Sequence, residues 1–337
     1  MLLRQGCKAL LFCYNINIRK KWTILFMNLV LDEKKLRKGK PVGLPYVGSK
    51  KKISKKIVEI IKQNFGTDKT VYDVFGGGGA ITAECMINGI DVVYNDLDKT
   101  VTDMFNLVLS QDREWIKTLI VSRDEFIAIR EKENKTIEDE LKLLVNSFGN
   151  NRKGYLYSEK YSDIKYNLAV EILEQEDVLS GYKKTRTYLT AVNLYEDELG
   201  FVGKMEKNRT LQQLQQLEQL QRLQQLERLQ SVGRLQKLHD TKNEDYKYFS
   251  NVKNGILYLD PPYENSANTY QTGKFDSTDF YDWAYEMSKR NTVIISSYEV
   301  SDKRFEAVFE FENARSTLNG KSRGNRTEKL FMVKAGL

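Results

Sequence analysis

The chain of 337 residues is 41% hydrophobic and 29% charged, enough to bury a sizeable core in one large domain or in a core with a smaller domain. A formal net charge of +7 favours a polyanionic partner. The single histidine, His239, excludes a histidine dyad and a histidine-ligated metal, so we expect no metal site. Cys7, Cys13 and Cys85 form neither a disulfide framework nor a zinc set, which predicts a reducing, cytoplasmic location.

Residues 1–39 are predicted to be a poorly ordered N-terminal extension. Their apolar runs at 9–16 and 22–31 are shorter than the roughly 18 to 20 residues that cross a bilayer, so no membrane span is expected. No small-residue cleavage site follows, which argues against a signal peptide. A peripheral membrane anchor is an alternative. Met27 is a possible biological start, since the basic, organised sequence begins just after it.

A basic segment follows between residues 34 and 62. Tyr46 and Lys50 lie two residues before and after Gly48 in this segment, just before apolar residues at helical spacing. Glycine beside a turn, with a lysine near a helix start, can place a cation and backbone donors against a carboxylate. The alternative is a basic helix that is simply solvated.

Four consecutive glycines follow a predicted strand at residues 70–75 and precede a predicted helix. Glycines let the backbone turn sharply and approach a ligand closely. Asp73, at the strand end, can accept a hydrogen bond from a ligand ammonium. Asp96 follows a second strand at 91–94, where an acid can accept from ribose hydroxyls. The turn is neither a GxGxxG sequence nor a P-loop, and purely structural glycines are the alternative.

A polar loop at residues 147–157 follows a stretch of helical spacing. It combines amides, basic groups and aromatic rings around two glycines, a composition suited to phosphate contact and base stacking. The candidate contacts are Asn150, Arg152, Lys153 and Tyr155. A polar surface loop without a ligand is the alternative.

Leucine occupies every third position from Leu211 to Leu229, within a repeat that extends over residues 211–238. In an α-helix each such leucine steps back by about 60 degrees, so the stripe winds around the rod and cannot form one buried face. We predict a helix, with a short triangular β-solenoid as the alternative. The repeat is expected to be a spacer or appendage that carries no chemistry.

A short apolar run at residues 256–259 predicts a buried strand, and Asp260, Pro261, Pro262 and Tyr263 follow it. Two prolines end the strand and stiffen the chain at the carboxyl edge of the sheet. This step offers a carboxylate, a backbone carbonyl and an aromatic ring, which together suit a planar amine.

Between predicted strands at 307–311 and 330–333 lies a second basic, glycine-rich loop. Its cations suit contact with backbone phosphates, and a solvated turn is the alternative. The candidate contacts are Lys321, Arg323 and Arg326.

These motifs resemble those of one enzyme family. Residues 260–263 are similar to the DPPY motif of amino-methyltransferases that use S-adenosylmethionine, residues 45–50 resemble a PYxGxK-type segment, and residues 73–79 match DxFxGxG. Their order resembles that of Dam-like, D12-class N6-adenine-specific DNA methyltransferases over roughly residues 40–335. Such genes occur in phages, mobile elements and restriction–modification systems.

The resemblance implies an α/β fold: a Rossmann-like methyltransferase sheet with helices on both faces and an inserted target-recognition region bearing the leucine-triplet repeat. The catalytic domain would comprise residues 40–145 and 246–337, and the recognition region residues 146–245. The implied partner is duplex DNA, with a monomeric enzyme favoured.

The implied activity is site-specific transfer of a methyl group from S-adenosylmethionine to the N6 amine of a flipped-out adenine. Catalytic roles fall on Asp260, Pro261, Pro262 and Tyr263. An Asn-Arg-x-Gly loop opens the recognition region in this family, which matches residues 151–154. The implied cofactor residues are Tyr46, Lys50, Asp73, Phe75, Gly76, Gly77, Gly78, Gly79, Asp96 and Asp260.

Three alternatives remain at this stage. N4-cytosine methyltransferases commonly carry serine where this chain has Asp260, and glutamine methyltransferases acting on protein usually carry asparagine. A non-catalytic DNA-binding scaffold is the third. Carbon-5 cytosine methylation is disfavoured, because no cysteine follows a proline to serve as its nucleophile.

Overall fold

The computed structural model describes residues 28–46, 48–198, 212, 215–264, 275–311 and 327–334. Residues 1–27 and the candidate DNA contacts Lys321, Arg323 and Arg326 lie outside the described residues, so the predictions about them stay predictions. None of the helices within the described ranges has the length and apolar content needed to cross a membrane.

Within the described ranges, seven strands form one mixed sheet in the order β3-β2-β1-β4-β5-β7-β6. The first five are parallel, and β7 runs antiparallel to both β5 and β6. The strands are β1 (Val71–Asp73), β2 (Val92–Asn95), β3 (Leu238–Lys242), β4 (Ile256–Leu259), β5 (Thr292–Ser297), β6 (Phe305–Glu310) and β7 (Lys329–Val333).

Helices cover both faces of the sheet. They are α1 (Ser54–Phe65), α2 (Ala80–Ile87), α3 (Lys99–Ser110), α4 (Arg113–Lys117), α5 (Arg123–Glu131), α6 (Ile137–Asn146), α7 (Glu159–Glu176), α8 (Arg186–Glu198), α9 (Glu218–Gly233) and α10 (Ser277–Ser288). Short 3-10 helices occur at Glu33–Lys35, Lys50–Lys52, Phe148–Asn150, Tyr182–Lys184 and Tyr246–Asn251.

The central strand β4 shows how the two faces are filled. All four of its residues are buried, because a parallel strand in the middle of such a sheet is covered on both sides. Ile256 and Tyr258 belong to a core shared with α1, α2, α3 and α9, whereas Leu257 and Leu259 belong to a core shared with α10. The alternation follows from the two-residue period of a strand.

The predicted N-terminal extension is shorter than expected. Leu29 is buried, and its N–H donates to Val308 O at 2.9 Å. The side chain of Asn64 on α1 holds the next residue, Val30, through its backbone N–H and carbonyl. The prediction of poor order is therefore wrong for residues 28–39, which pack against the folded domain.

The leucine repeat forms a helix over α9, as predicted, but it is not an appendage. Its leucines at 217, 220, 223, 226 and 229 are completely buried. The helix lies among α2, α3, α4, α6 and α7, so that a leucine stripe winding around the rod meets a neighbour on each side. The expectation of a spacer is wrong. It rested on the lack of a single apolar face, but a helix with neighbours on several sides can bury leucines on more than one face.

The strand that follows the repeat also belongs to the sheet. In β3, Leu238 to Lys242 pairs in parallel with Val92 to Asn95 of β2. The helix α9 is therefore the last helix of the crossover that connects β2 to the parallel edge strand β3. The predicted boundary of the recognition region at residue 245 is corrected accordingly, since residues 218–242 form part of the core domain.

Candidate active site

The carboxyl ends of β1, β2 and β4 lie side by side at one edge of the sheet. Asp73 at the end of β1 is paired in register with Tyr258 of β4, and Val74 N–H donates to Tyr258 O at 3.1 Å. Asp260 emerges two residues later, near enough to Asp73 for its charge to contribute to the raised pKa of Asp73. The sequence motifs thus meet at the edge where open α/β sheets bind ligands.

The glycine turn at residues 76–79 is tightly enclosed. Gly76 N–H donates to Asn95 O at 2.7 Å, and a Cβ at Gly76 would lie 2.4 Å from a ring carbon of Tyr94. Gly79 has φ 68°, and a Cβ there would lie 2.2 Å from a ring carbon of Phe105. Side chains have no room at either position, so the chain needs glycine to turn here.

Asp73 is a fully enclosed carboxylate with one oxygen that lacks a partner. Its Oδ2 accepts from Thr82 Oγ1 at 2.7 Å and from Thr82 N–H at 3.1 Å, whereas Oδ1 is buried without a hydrogen bond. Burial raises the pKa of Asp73 to about 7, although the Thr82 donors act in the opposite direction. An orphaned buried acceptor fits a ligand that brings a donor.

Asp96 braces the turn from the neighbouring strand. Its Oδ2 accepts from Gly77 N–H at 2.8 Å, and its Oδ1 accepts from Asp98 N–H at 2.8 Å. Burial raises the pKa of this carboxyl above its ordinary value. Each carboxylate oxygen retains acceptor capacity, so contact with a ribose stays compatible with the bracing.

Tyr46 lies directly against the turn. The strand-like segment before it is fixed by Leu44 N–H, which donates to Gly78 O at 2.8 Å. A Cβ on Gly78 would come within 2.8 Å of Tyr46 Cβ. Phe75, in contrast, packs into an aromatic cluster with Tyr246 and Phe280 on the opposite face.

Lys50 joins the residues that follow β4. Its Nζ lies 2.8 Å from Asp260 Oδ1, donates to Tyr263 Oη at 2.8 Å, and lies 3.4 Å from Glu328 Oε1. Burial lowers the pKa of Lys50, but the carboxylates of Asp260 and Glu328 outweigh it and raise the pKa overall. The ammonium therefore stays charged at this site.

Asp260 holds its proton more tightly than an ordinary aspartate. Burial raises its pKa and the Glu328 carboxylate adds to the rise, while Lys50 opposes both, and the resulting pKa is about 6. The side chain is 19% exposed. Lys50 pairs with Oδ1, and none of the described residues donates a hydrogen bond to Oδ2, which therefore keeps its acceptor capacity.

Glu328 completes the cluster and was missed by the sequence analysis. It precedes β7 and is only 4% exposed. Oε1 accepts from Ser296 Oγ at 2.8 Å, and Oε2 accepts from Tyr263 Oη at 3.2 Å. The Tyr263 ring also leans on Tyr298 with a 4.5 Å centroid distance. An acid in front of an apolar strand was the only available signal, and such acids are common.

A family model described as D12 class N6 adenine-specific DNA methyltransferase matches residues 46–316 of the chain. The chain belongs to this family. As a D12-class enzyme it methylates adenine in DNA at N6, which confirms the predicted activity and sets aside the N4-cytosine and scaffold alternatives.

Comparison of this D12-class methyltransferase with solved structures finds the rRNA methyltransferase aviRa from Streptomyces viridochromogenes. The identity is 10% and the TM-score 0.34, with 90% of this chain and 94% of that chain covered. A search of curated proteins finds no match.

The polar loop of the methyltransferase at residues 147–154 is closed at its base. Phe148 N–H donates to Gly154 O at 2.8 Å, and Tyr155 Oη donates to Val121 O at 2.9 Å, with the Tyr155 ring half-buried against Phe126. Arg152 forms an ion pair with Glu140 at 2.8 Å. Tyr155 therefore fixes the loop through its hydroxyl.

The exposed side of the same loop carries different groups. Lys153 is exposed, and Phe148 is 70% exposed. Asn150 has φ 57° and its Oδ1 is buried without a partner. The Lys153 ammonium and the Phe148 ring are thus both exposed, while the hydrogen bond between Phe148 N–H and Gly154 O holds the backbone of the loop.

Two polar residues of the leucine repeat hold this loop, and sequence reasoning missed both. Arg222 donates to Val145 O and to Ser147 O, each at 2.7 Å, at the C-terminus of α6. Gln219 Nε2 donates to Asn146 Oδ1 at 2.6 Å. A cation at the carbonyl end of a helix is electrostatically favourable. The repetitive sequence around Arg222 and Gln219 gave no indication that they form these hydrogen bonds.

Within the described residues, no group of three or more His, Cys, Asp or Glu side chains is placed to hold a metal ion.

Proposed function

We propose that this D12-class enzyme methylates a flipped-out adenine in duplex DNA at the sheet edge that carries the glycine turn and Asp260. The observation that carries the proposal is the meeting of Lys50, Asp260 and Tyr263 at the carboxyl end of β4, which pairs in parallel with the strand β1 that leads into the turn. The strand order and the helices on both faces support a Rossmann-like methyltransferase domain.

The residues around the turn fit S-adenosylmethionine. Asp73 Oδ1 offers the unpartnered buried acceptor that an ammonium requires, and Asp96 lies one strand away to accept from a ribose. Tyr46 packs on the turn and supplies an apolar wall. When bound, this cofactor supplies an electrophilic methyl group on a positively charged sulfur. Phe75 supports the glycine turn by packing on the opposite face of the sheet.

Asp260 and the residues that follow it orient the adenine amine. Asp260 Oδ2 and the Pro261 carbonyl accept from the two N6 hydrogens, which points the nitrogen lone pair toward the methyl donor. Pro262 fixes the direction of the chain, and Tyr263 stacks on the adenine ring. The carboxylates of Asp260 and Glu328 outnumber the single ammonium of Lys50. Their net negative charge stabilises the positive charge that develops on N6 during transfer. Asp260 Oδ2 can then take up the proton that N6 releases.

The DNA contacts are assigned to the two basic loops. Lys153 and Arg152 meet phosphates, Asn150 reaches base edges, and Tyr155 holds the loop in place. The second loop adds Lys321, Arg323 and Arg326. With residues 218–242 in the core, we place target recognition in residues 147–198. The enzyme acts as a monomer in a reducing cytoplasm, where Cys85 remains a thiol.

The test is transfer of labelled methyl groups to duplex DNA, followed by digestion to nucleosides. The parent enzyme should yield N6-methyladenine. Asp260→Ala should lower the rate at saturating substrates by about 100-fold or more, as expected for loss of a group aimed at developing charge. Asp124→Ala removes an exposed carboxylate elsewhere and serves as the matched control. Parental transfer by Asp260→Ala would refute the assignment.

A further inference from the structure

Glu328 is a buried carboxylate whose oxygens all contact active-site groups or their support. Oε1 accepts from Ser296 Oγ at 2.8 Å and lies 3.4 Å from Lys50 Nζ, while Oε2 accepts from Tyr263 Oη at 3.2 Å. A charge at 4% exposure is costly to the fold unless such partners compensate it. The carboxylate therefore belongs to a built arrangement.

The position of Glu328 is fixed by the sheet. It directly precedes β7, whose Leu330 pairs with Ser296 and whose Lys329 pairs with Ser297 on β5. Phe311 N–H, directly after β6, also donates to Glu328 O at 2.9 Å. The backbone contacts and the Ser296 hydroxyl thus fix the position of the Glu328 carboxylate. This carboxylate can in turn hold the side chains of Lys50 and Tyr263.

We propose that Glu328 is a positioning residue for methyl transfer, which holds the Tyr263 hydroxyl and the Lys50 ammonium so that the Tyr263 ring and Asp260 Oδ2 face the adenine. This inference rests on the proposed function. Without Glu328, Tyr263 would lose one acceptor of its hydroxyl proton, and Lys50 would lose one of its two carboxylate partners.

Glu328 also sets the charge of the acceptor site. Lys50 contributes one positive charge, and Asp260 and Glu328 contribute one negative charge each, so the ionised cluster carries a net negative charge. The other titratable groups facing it are the buried Tyr258 hydroxyl, Asp73 and Asp96. The Glu328 charge raises the pKa of Asp260, so its removal lowers that pKa.

The main test is Glu328→Gln, which keeps the shape and removes the charge. We expect kcat to fall by about 10- to 100-fold, the size typical of lost outer-shell support, with unchanged KM for the cofactor. The acid limb of the kcat profile should shift to lower pH, which a purely structural role would not cause. Glu310→Gln, in the same β-hairpin but exposed, is the matched control.

Tyr263→Phe provides the second arm, because it keeps the ring and removes the hydroxyl contact. It should reproduce part of the kcat loss. Parental kcat in either Tyr263→Phe or a folded Glu328→Gln overturns the inference, and the first result does so even if Glu328→Gln fails to fold. If Asp260→Ala also transfers methyl groups at the parental rate, the proposed function fails as well.

Discussion

The Lys50 ammonium lies 2.8 Å from Asp260 Oδ1, so that a residue before the glycine turn is paired with the carboxylate that follows β4, far along the chain. This pairing connects the two halves of the site through one buried cation. Because Lys50 also donates to Tyr263 Oη, its ammonium couples the carboxylate to the aromatic ring.

The first prediction concerns pH. Asp260 must be ionised to accept from the adenine amine, and its pKa is about 6, above the ordinary value for aspartate. At saturating substrates, kcat should be constant above pH 7 and fall about tenfold per unit well below pH 6. Rapid-quench measurement of methyl transfer from pH 5 to 8.5 tests this. A profile that stays flat down to pH 5 would contradict it.

The second prediction concerns the glycine turn. Gly79→Ala should cost about 2 to 4 kcal/mol of unfolding free energy, because it adds left-handed strain and a clash with Phe105. Gly89→Ala is the matched control, since Gly89 also has positive φ, at 75°, but open space around it. Its cost should be about 1 kcal/mol. Urea titration of both variants separates the two effects, and equal losses would exclude the clash.

The third prediction concerns the leucine repeat. Leu226→Ala should destabilise the protein by about 2 to 5 kcal/mol, because it opens a cavity beside a side chain with no exposed surface. Leu235→Ala in the same repeat removes a side chain that is 47% exposed and should cost about 0.5 kcal/mol or less. Thermal and urea unfolding provide the measurement. Similar values for the two variants would mean that α9 is not a core helix.

The fourth prediction concerns DNA contact by the polar loop. Lys153→Ala should weaken DNA binding and reduce the slope of log affinity against log salt concentration by about 1, as expected for one lost phosphate contact. Lys253→Ala removes an exposed cation just before β4, at the opposite edge of the sheet, and should leave the slope unchanged. Fluorescence anisotropy with labelled duplex DNA across a salt series is the measurement. An unchanged slope in Lys153→Ala would remove this loop from the interface.

Local patterns in the sequence were sufficient to locate the sheet edge that carries the site. The apolar run before Asp260 and the glycines after Asp73 both mark where a buried strand ends, and parallel pairing brings such ends together. These features depend on neighbours in the chain, which is why they could be predicted.

Other features depend on contacts between distant segments and could not be predicted. The period of three in the repeat indicated a helix without one apolar face, but only the surrounding helices make the leucines at 217, 220, 223, 226 and 229 core residues. Glu328 joins the cluster because β7 pairs with β5, which places it beside Ser296 and Lys50. Neither arrangement produces a recognisable pattern in the neighbouring sequence.

The repeat has one more consequence, which follows from its buried polar bonds. A slip of α9 by one triplet would exchange leucine for leucine at the buried positions 220, 223 and 226, so the packing of these three leucines does not by itself define the register. It would, however, replace Arg222 by Gln219 or Gln225 and leave the carbonyls of Val145 and Ser147 without their guanidinium. Arg222 thus favours the observed register over those displaced by one triplet, as single polar residues do in other repetitive helices.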